Sequence, residues 1–549
     1  MSNTPASPTS IYKDWLNSNK LSKEERRELK KLSKQQIDVQ FANKCLTFGT
    51  AGVRGVMGLG TTTMNRFVYA NLALAYGKYL LKTNKHRPLK IVVGHDNRYN
   101  SDFFSLLVAK ALSSLGIIVY LYDKNQLMPT PIISFTIRHL KLSGGIIITA
   151  SHNPKEYNGF KAYRNTGGQV LDTDARMIEK LMVEPNDIIN ITIKPKTSLI
   201  KTIPFSIIND YFKSAKKALI NPNWKCSFKS PIVFSGHHGT TCKLIPELLK
   251  KFNVNVAPVK EQCFFNHDFV NSPHPNPEDF AAFNLSIKLA NKVNSNICLG
   301  VDPDGDRLAI AIKHQGKWQL MTGNEMGIIY TYYLLNKYHQ KKQPFVVSTH
   351  VSTNLIDKIA KDFNAKVYRT STGFKWIGDI IEQEYNCKHF IVAFEEAIGA
   401  LVCPINRDKD SFTASLLALE IANDCAKQNM DFVDLLENKI YPKYGHWFGF
   451  TDSFVIKSSN WQQELQSKFK FICNYKSKTF GNLTIKTTCF NKNGNCFEWH
   501  LDKWSRIKFR ISGTEPKFKI YYNLFGNSQQ QLKNTYNDLH SKFKKLLGV

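Results

Sequence analysis

Residues Lys90–Tyr122 read KIVVGHDNRYNSDFFSLLVAKALSSLGIIVYLY. The stretch opens on a short apolar run, Lys90–Asp96, followed by a helical pattern from Ser101 to Leu115. Gly116–Tyr122 is a second apolar run. Strand, helix and strand at this spacing predict parallel strands joined by a crossover helix. Outward from there, Pro131–Leu140 reads as a helix and Gly144–Thr149 (GGIIIT) as a third strand. The pattern recurs twice. Ser230–Phe234 leads through GHHGTT to a helix at Leu244–Phe252 and later to a strand at Asn296–Val301. Pro344–Ser348 leads to helix Asn354–Phe363, strand Lys366–Arg369, helix Lys375–Tyr385 and strand His389–Ala393. From about Tyr441 the chain turns to alternating patterns such as NLTIKTTCF, which predict α+β. Upstream, residues 14–40 read as one polar, basic helix lying over the rest as a solvated cover.

Composition narrows the class. The chain has 549 residues, 42% hydrophobic and 21% charged. That is an ordinary globular balance, and the length accommodates several domains. No run of about 18 apolar residues occurs, and the N-terminus lacks a basic start followed by an apolar stretch, so the expectation is a cytoplasmic protein without a membrane span. Eleven cysteines are scattered from Cys45 to Cys496 with no C-x-x-C pair, which points to reduced core residues rather than a disulfide or zinc framework. The formal charge of +30 raises the question of nucleic acid. Of 74 basic residues only 14 are Arg, the residue favoured for reading base edges. The expectation is no nucleic-acid partner. Compositional drift across a solvated surface accounts for the lysines, and such a field also steers anionic substrates.

Four turns carry chemistry, each after a strand, where open α/β sheets place ligands. Thr149–Pro154 (TASHNP) presents Ser151 and His152 at a strand end, the place for a nucleophile or phosphate carrier, and Lys161 returns an ammonium nearby. A plain Ser/Asn/Pro turn reads equally well from this motif alone. Gly300–Arg307 (GVDPDGDR) alternates Asp302, Asp304 and Asp306. Carboxylates this close repel, and a hard divalent cation such as Mg²⁺ relieves that repulsion. A calcium EF-hand needs Gly where Arg307 stands and Glu where Lys313 stands, so it fails. Ala393–Gly399 (AFEEAIG) offers Glu395 and Glu396 as acceptors for vicinal sugar hydroxyls, or as two surface carboxylates. Arg510–Pro516 (RISGTEP) gathers Arg510, Ser512, the Gly513 backbone and Thr514 into a phosphate cradle. Further cations stand in glycine-bearing or loop segments: Arg54, Arg98 and Lys375.

Together these pieces resemble the α-D-phosphohexomutase superfamily of phosphoglucomutases and phosphomannomutases, from about Phe41 to Asn523. The segments FGTAGVRGVMG, HPNPEDF and STGFKWIG are most similar to its longer, phosphoglucomutase-2-like branch. The resemblance implies three related α/β domains and a C-terminal α+β domain around a central active-site cleft. The expected divisions are an N-terminal helical extension (1–40), domain I with the phosphoserine loop (41–203), domain II with the Mg-binding loop (204–318), domain III with the sugar-binding loop (319–440) and domain IV with the phosphate-binding loop (441–549). By motif match, Ser151 is the phosphorylated serine. Asp302, Asp304, Asp306 and a Ser151 phosphate oxygen hold one Mg²⁺. Glu395 and Glu396 read sugar hydroxyls, and Arg510, Ser512, Gly513 and Thr514 hold the distal phosphate, with Arg98 and Arg307 also counted as substrate-binding. Arg54, His152, Lys161 and Lys375 handle proton transfer and charge at the reacting phosphate. The implied activity interconverts hexose 1- and 6-phosphates through a hexose 1,6-bisphosphate, in a monomer or homodimer. Pentose phosphates stay open as an alternative. Many short family members carry a histidine in the sugar loop that FEEAIG lacks. A non-catalytic paralogue is the remaining rival, although no serine, aspartate or cradle arginine has been lost.

Overall fold

The structure, a computed structural model, describes residues 6–49, 52–122, 126–204, 206–338, 340–458, 460–481, 483–491, 496–511 and 516–548. The chain divides into two compact units, residues 1–320 with 399–417, and residues 321–398 with 418–549.

In the first unit, the apolar runs become strands because both faces are covered, so a strand such as Gly144–Ile148 is buried at every position. The first sheet runs Val53–Val56, Tyr157–Arg164, Gly144–Ile148, Lys90–His95, Ile118–Leu121, Ile200–Thr202. The last four strands are parallel, and Tyr157–Arg164 runs antiparallel to both its neighbours. Helices Arg66–Thr83, Ser101–Ser114 and Thr130–His139 connect or flank them. The second sheet contains Leu308–His314, Ile297–Val301, Ile232–Ser235 and Val256–Pro258 in that order. Ile297–Val301 and Leu308–His314 are antiparallel, with Val301 opposite Leu308. The acidic turn Asp302–Arg307 is therefore the loop of a β-hairpin.

The N-terminal reading needs correction. Residues 14–40 are not one helix, because the segment holds Pro8–Asn17, Lys23–Lys30 and Lys34–Gln40. Ser22 with Glu25 and Ser33 with Gln36 form capping boxes that start new helices inside the expected one. Nor is it only a solvated cover. Ile11, Trp15 and Leu29 are fully buried, Trp15 packs edge-on to Phe67 at 5.1 Å, and Glu25 holds Arg66 through both oxygens at 2.7 and 2.8 Å.

In the second unit, Lys366–Thr370, Pro344–Thr349 and His389–Phe394 lie side by side, all parallel. Helices Gly323–Tyr338, Leu355–Asp362 and Phe374–Glu384 alternate with them. The C-terminal part is antiparallel throughout: His446–Val455, Lys517–Gly526, Arg506–Ile511, Cys496–His500, Thr487–Asn491. Helices Trp461–Cys473 and Gln529–Leu547 bury Leu465, Leu539 and Phe543 with Trp499, Phe509 and Phe518 of the sheet. The α+β expectation holds. Among the described residues no helix is long and apolar enough to cross a membrane.

One glycine fixes the approach of the loop that carries Glu395 and Glu396. A Cβ on Gly323, the first residue of helix Gly323–Tyr338, would lie 2.4 Å from the Glu396 carbonyl oxygen and 2.6 Å from the Ile398 amide nitrogen. Both obstacles are backbone, so one of the segments must move. Gly323→Ala is expected to lower stability by about 1–3 kcal/mol, measured by urea unfolding. A loss below about 0.5 kcal/mol would show that the loop has room to yield.

Candidate active site

The first unit assembles Ser151, His152, Lys161, Arg54, Arg307 and the three aspartates. Ser151 follows strand Gly144–Ile148 and takes φ +54°, a left-handed backbone that a non-glycine residue adopts only under constraint. The constraint is visible. Its amide donates to Thr149 Oγ1 at 2.9 Å, and the Arg98 guanidinium donates to the carbonyls of Ser151, Asn153, Pro154 and Tyr157. The turn thrusts the Ser151 hydroxyl at the acidic loop, where Oγ donates to Asp302 Oδ2 at 2.7 Å and sits 3.1 Å from His152 Nδ1.

Asp302, Asp304 and Asp306 are all buried, with ligand oxygens within 4.8 Å of one another. Each is partly neutralised in its own way. Asp302 Oδ1 accepts the amides of Asp306 and Arg307 at 3.1 and 2.9 Å. Asp304 Oδ2 accepts Lys161 Nζ at 2.6 Å and Thr130 Oγ1 at 3.1 Å, at the start of helix Thr130–His139. Asp306 Oδ2 meets Lys161 at 3.0 Å and Lys409 at 3.1 Å. Among the described residues, that leaves Asp304 Oδ1 and Asp306 Oδ1 buried with no hydrogen-bond partner, and Arg307 Nε stands 4.0 Å from Asp306 Oδ1. Orphaned buried carboxylate oxygens are costly unless something cationic meets them, and an all-oxygen donor set fits Mg²⁺.

The crowding of the carboxylates shows in their titration. Burial, with Asp304 and Asp306 beside it, pushes the Asp302 carboxyl well above its usual range. Burial also favours protonation of Asp306, but Lys161, Lys409 and Arg307 outweigh it and hold the group below its usual range. Burial would lower the Lys161 ammonium, yet Asp304 and Asp306 raise it on balance. His152 is held well below an ordinary histidine by burial and by Arg307 and Arg54, which favours the neutral imidazole.

Two residues depart from their expected roles. Arg98 was expected to bind substrate. It is instead buried, its guanidinium taken by four carbonyls and by Asp96 at 3.2 Å, which makes it a clamp on the serine turn. Arg98→Ala is expected to cost about 3 kcal/mol or more, because Asp96 would stay buried without its counter-charge. Arg98→Lys should not restore the enzyme, since one ammonium cannot replace the fork that reaches four carbonyls. Melting curves of both variants check this, and full stability in the lysine variant would contradict it. The other residue, Lys409, was missed. It lies in Asn406–Asp410 (NRDKD), a segment that the sequence shows only as a charged run. Ser411 beside it donates to the Gly305 carbonyl at 2.6 Å, so this segment grips the acidic turn.

The second unit brings Lys375, Glu395 and Glu396 into neighbouring loops. Gly373 stands at φ +111° immediately before helix Phe374–Glu384, and its amide donates to Glu395 Oε1 at 2.8 Å. Glu396 Oε2 accepts Thr349 Oγ1 at 3.1 Å and Ser352 Oγ at 3.2 Å. Lys375 is buried at the first turn of the helix. Arg510 is paired with Lys519 across strands Arg506–Ile511 and Lys517–Gly526, and burial with Glu396 nearby pushes the Tyr521 hydroxyl above its usual range while Arg510 opposes the shift. Tyr521 was not anticipated. Ser512, Gly513 and Thr514 lie outside the described residues.

A strand-end serine buried against an acidic triplet, on a chain of successive α/β layers, is the arrangement of a phosphoryl-transfer enzyme. The chain matches phosphoglucomutase/phosphomannomutase α/β/α domain I over residues 46–187, domain II over 209–316 and domain III over 322–442. It belongs to that family and is an isomerase, an intramolecular phosphotransferase of the phosphomannomutase/phosphoglucomutase type. Among its relatives is the phosphomannomutase of Mycoplasmoides pirum, 42% identical over 98% of this chain and 99% of the relative. A phosphoglucomutase of Staphylococcus aureus is 34% identical over 90% of this chain and 93% of its own. In fold, a phosphoglucomutase/phosphomannomutase family protein of Burkholderia thailandensis superposes with a TM-score of 0.67 at 16% identity, covering 90% of this chain and 97% of that one.

Proposed function

We propose that this enzyme interconverts hexose 1-phosphates and hexose 6-phosphates, with Ser151 as the phosphoryl carrier and a hexose 1,6-bisphosphate as intermediate and activator. The observation that carries the reading is the Ser151 hydroxyl, held by a left-handed turn at 2.7 Å from a triplet with two orphaned carboxylate oxygens. Phosphorylated Ser151 gives its phosphoryl group to the free hydroxyl of a hexose monophosphate. The Oγ–P bond breaks as the new P–O bond forms, and the hydroxyl proton leaves to a nearby base. Transfer from the other end of the bisphosphate then restores phosphoserine and releases the isomeric monophosphate. Asp302, Asp304 and Asp306 would hold Mg²⁺, which when bound supplies a counter-charge for the phosphoryl oxygens.

The other roles follow from the chemistry of each side chain. His152 Nδ1 stands 3.1 Å from Ser151 Oγ and suits orienting that oxygen for transfer. Lys161 fixes Asp304 and Asp306, and with Arg54, Arg307 and Lys375 offers positive charge to the phosphates. Glu395 and Glu396 accept sugar hydroxyls, and Arg510 with Ser512, Gly513 and Thr514 holds the phosphate that is not being transferred. Glucose and mannose differ only at C2, and a glutamate pair reading other hydroxyls tolerates both. The test is a mutase assay on glucose 1-phosphate, mannose 1-phosphate, glucosamine 6-phosphate and ribose 1-phosphate, with Mg²⁺ and a trace of the matching bisphosphate. Turnover of glucose and mannose phosphates within about tenfold of each other is expected. Efficient turnover of ribose 1-phosphate alone would overturn the hexose reading.

A further inference from the structure

We infer that the hairpin of strands Thr487–Asn491 and Cys496–His500 carries a second cation site, formed by Cys489, Glu498 and His500 and suited to Zn²⁺. The strands are antiparallel, with Thr487 opposite His500 and Cys489 opposite Glu498. Side chains alternate along a strand, so this register puts Cys489, Glu498 and His500 on one face as direct or diagonal neighbours. Their donor atoms lie within 4.8 Å of one another. Cys489 Sγ is 3.5 Å from His500 Nε2, and that nitrogen is 3.3 Å from Glu498 Oε2. A tetrahedral zinc about 2.3 Å from sulfur and about 2.0–2.2 Å from nitrogen and oxygen separates such ligands by about 3.4–3.6 Å. The two observed edges, 3.5 and 3.3 Å, lie within about 0.1 Å of that range, so the strand register already brings these donors close to the spacing an ion needs.

The surroundings favour a metal over a simple hydrogen-bonded trio. Asn491 Nδ2 donates to Glu498 Oε1 at 2.9 Å, which leaves Oε2 turned to His500, the kind of outer contact that orients a ligand. Lys508 stands opposite Glu498 on the next strand. Two neighbouring cations are fixed in place by carbonyls: Lys508 donates to the His350 carbonyl, and Arg506 to the carbonyls of Asp502, Lys503 and Ser505. Glu498 is nearly buried at 6% side-chain exposure, while Cys489 is exposed. A buried anchor and an exposed thiol leave an entry path and a fourth position for water. Thiolate and imidazole select a softer ion than the three aspartates, so the two sites do not compete for the same metal. Thr487–Asn491 is the edge strand of its sheet, and the ion would pin it to its only partner there.

The test uses the full-length enzyme in excess Mg²⁺, which occupies the aspartate triplet, and titrates it with Co²⁺ and then Zn²⁺. One equivalent of Co²⁺ should bind with a near-ultraviolet thiolate-to-metal charge-transfer band, and Zn²⁺ should bleach it. Cys489→Ser should abolish the band, and His500→Gln should weaken binding at least about tenfold. Alkylation followed by mass spectrometry gives a readout that needs no variant: Zn²⁺ should protect Cys489 and spare Cys387, the other exposed thiol. No band, a band that survives Cys489→Ser, or equal alkylation of Cys489 with and without Zn²⁺ would each overturn the site. None of these readouts depends on mutase activity.

Discussion

Ser151→Ala will lower mutase turnover by at least about 10⁴-fold while leaving the protein folded, because a covalent carrier has no substitute among its neighbours. The change removes one hydroxyl and one hydrogen bond to Asp302. The left-handed φ of +54° is borne by serine and alanine alike, so the stability cost is about 1–2 kcal/mol. Two measurements separate the effects. Thermal melting should shift by a few degrees only, and incubation with labelled hexose bisphosphate should leave no acid-stable label on the protein. Turnover within tenfold of the parent enzyme would mean that the phosphoryl group passes without a serine ester, and the proposed reaction would fall with it.

Lys161→Met will make folding depend on divalent cation. Lys161 is buried and bridges Asp304 at 2.6 Å and Asp306 at 3.0 Å. Removing it leaves Lys409 for Asp306, and for Asp304, among the described residues, the hydroxyls of Thr130 and Thr149. Breaking a buried pair by deleting one member costs about 3–5 kcal/mol, since the remaining charge stays desolvated. Anything that binds the folded state at those oxygens restores stability by mass action. The expected result is a large drop in melting temperature in a chelator, with Mg²⁺ recovering more in the variant than in the parent. Equal Mg²⁺ effects in both would show that the triplet does not hold the ion. Activity should fall as well, because the same ammonium sets the charge around the reacting phosphate.

Much of the site is legible in the chain because its chemistry is local. TASHNP and GVDPDGDR each put their functional groups within a few residues of one another, and turn residues such as Pro303 and Gly305 force the alternation of carboxylates outward. Strand identity is equally local: runs such as GGIII are apolar at every position and require cover on both faces. Helix starts were legible too, although Ser22–Glu25 and Ser33–Gln36 were passed over in favour of one long basic helix. Those two capping boxes are short-range signals, and they outrank the continuous polarity around them.

Other features were decided only by the folded chain. Lys409 lies about a hundred residues from Asp306, and nothing in the run NRDKD says which acid its ammonium will meet. Arg98 reads as one more loop cation, and only the closing of the serine turn over it converts that charge into a clamp on four carbonyls. Cys489 and His500 look like scattered residues until antiparallel pairing sets them 3.5 Å apart. The amino-acid order determined which groups could react and where the backbone would turn, since both depend on neighbours along the chain. Partnership between charges was settled by tertiary structure, because burial decides which charge must be neutralised and the fold decides which distant side chain arrives to do it.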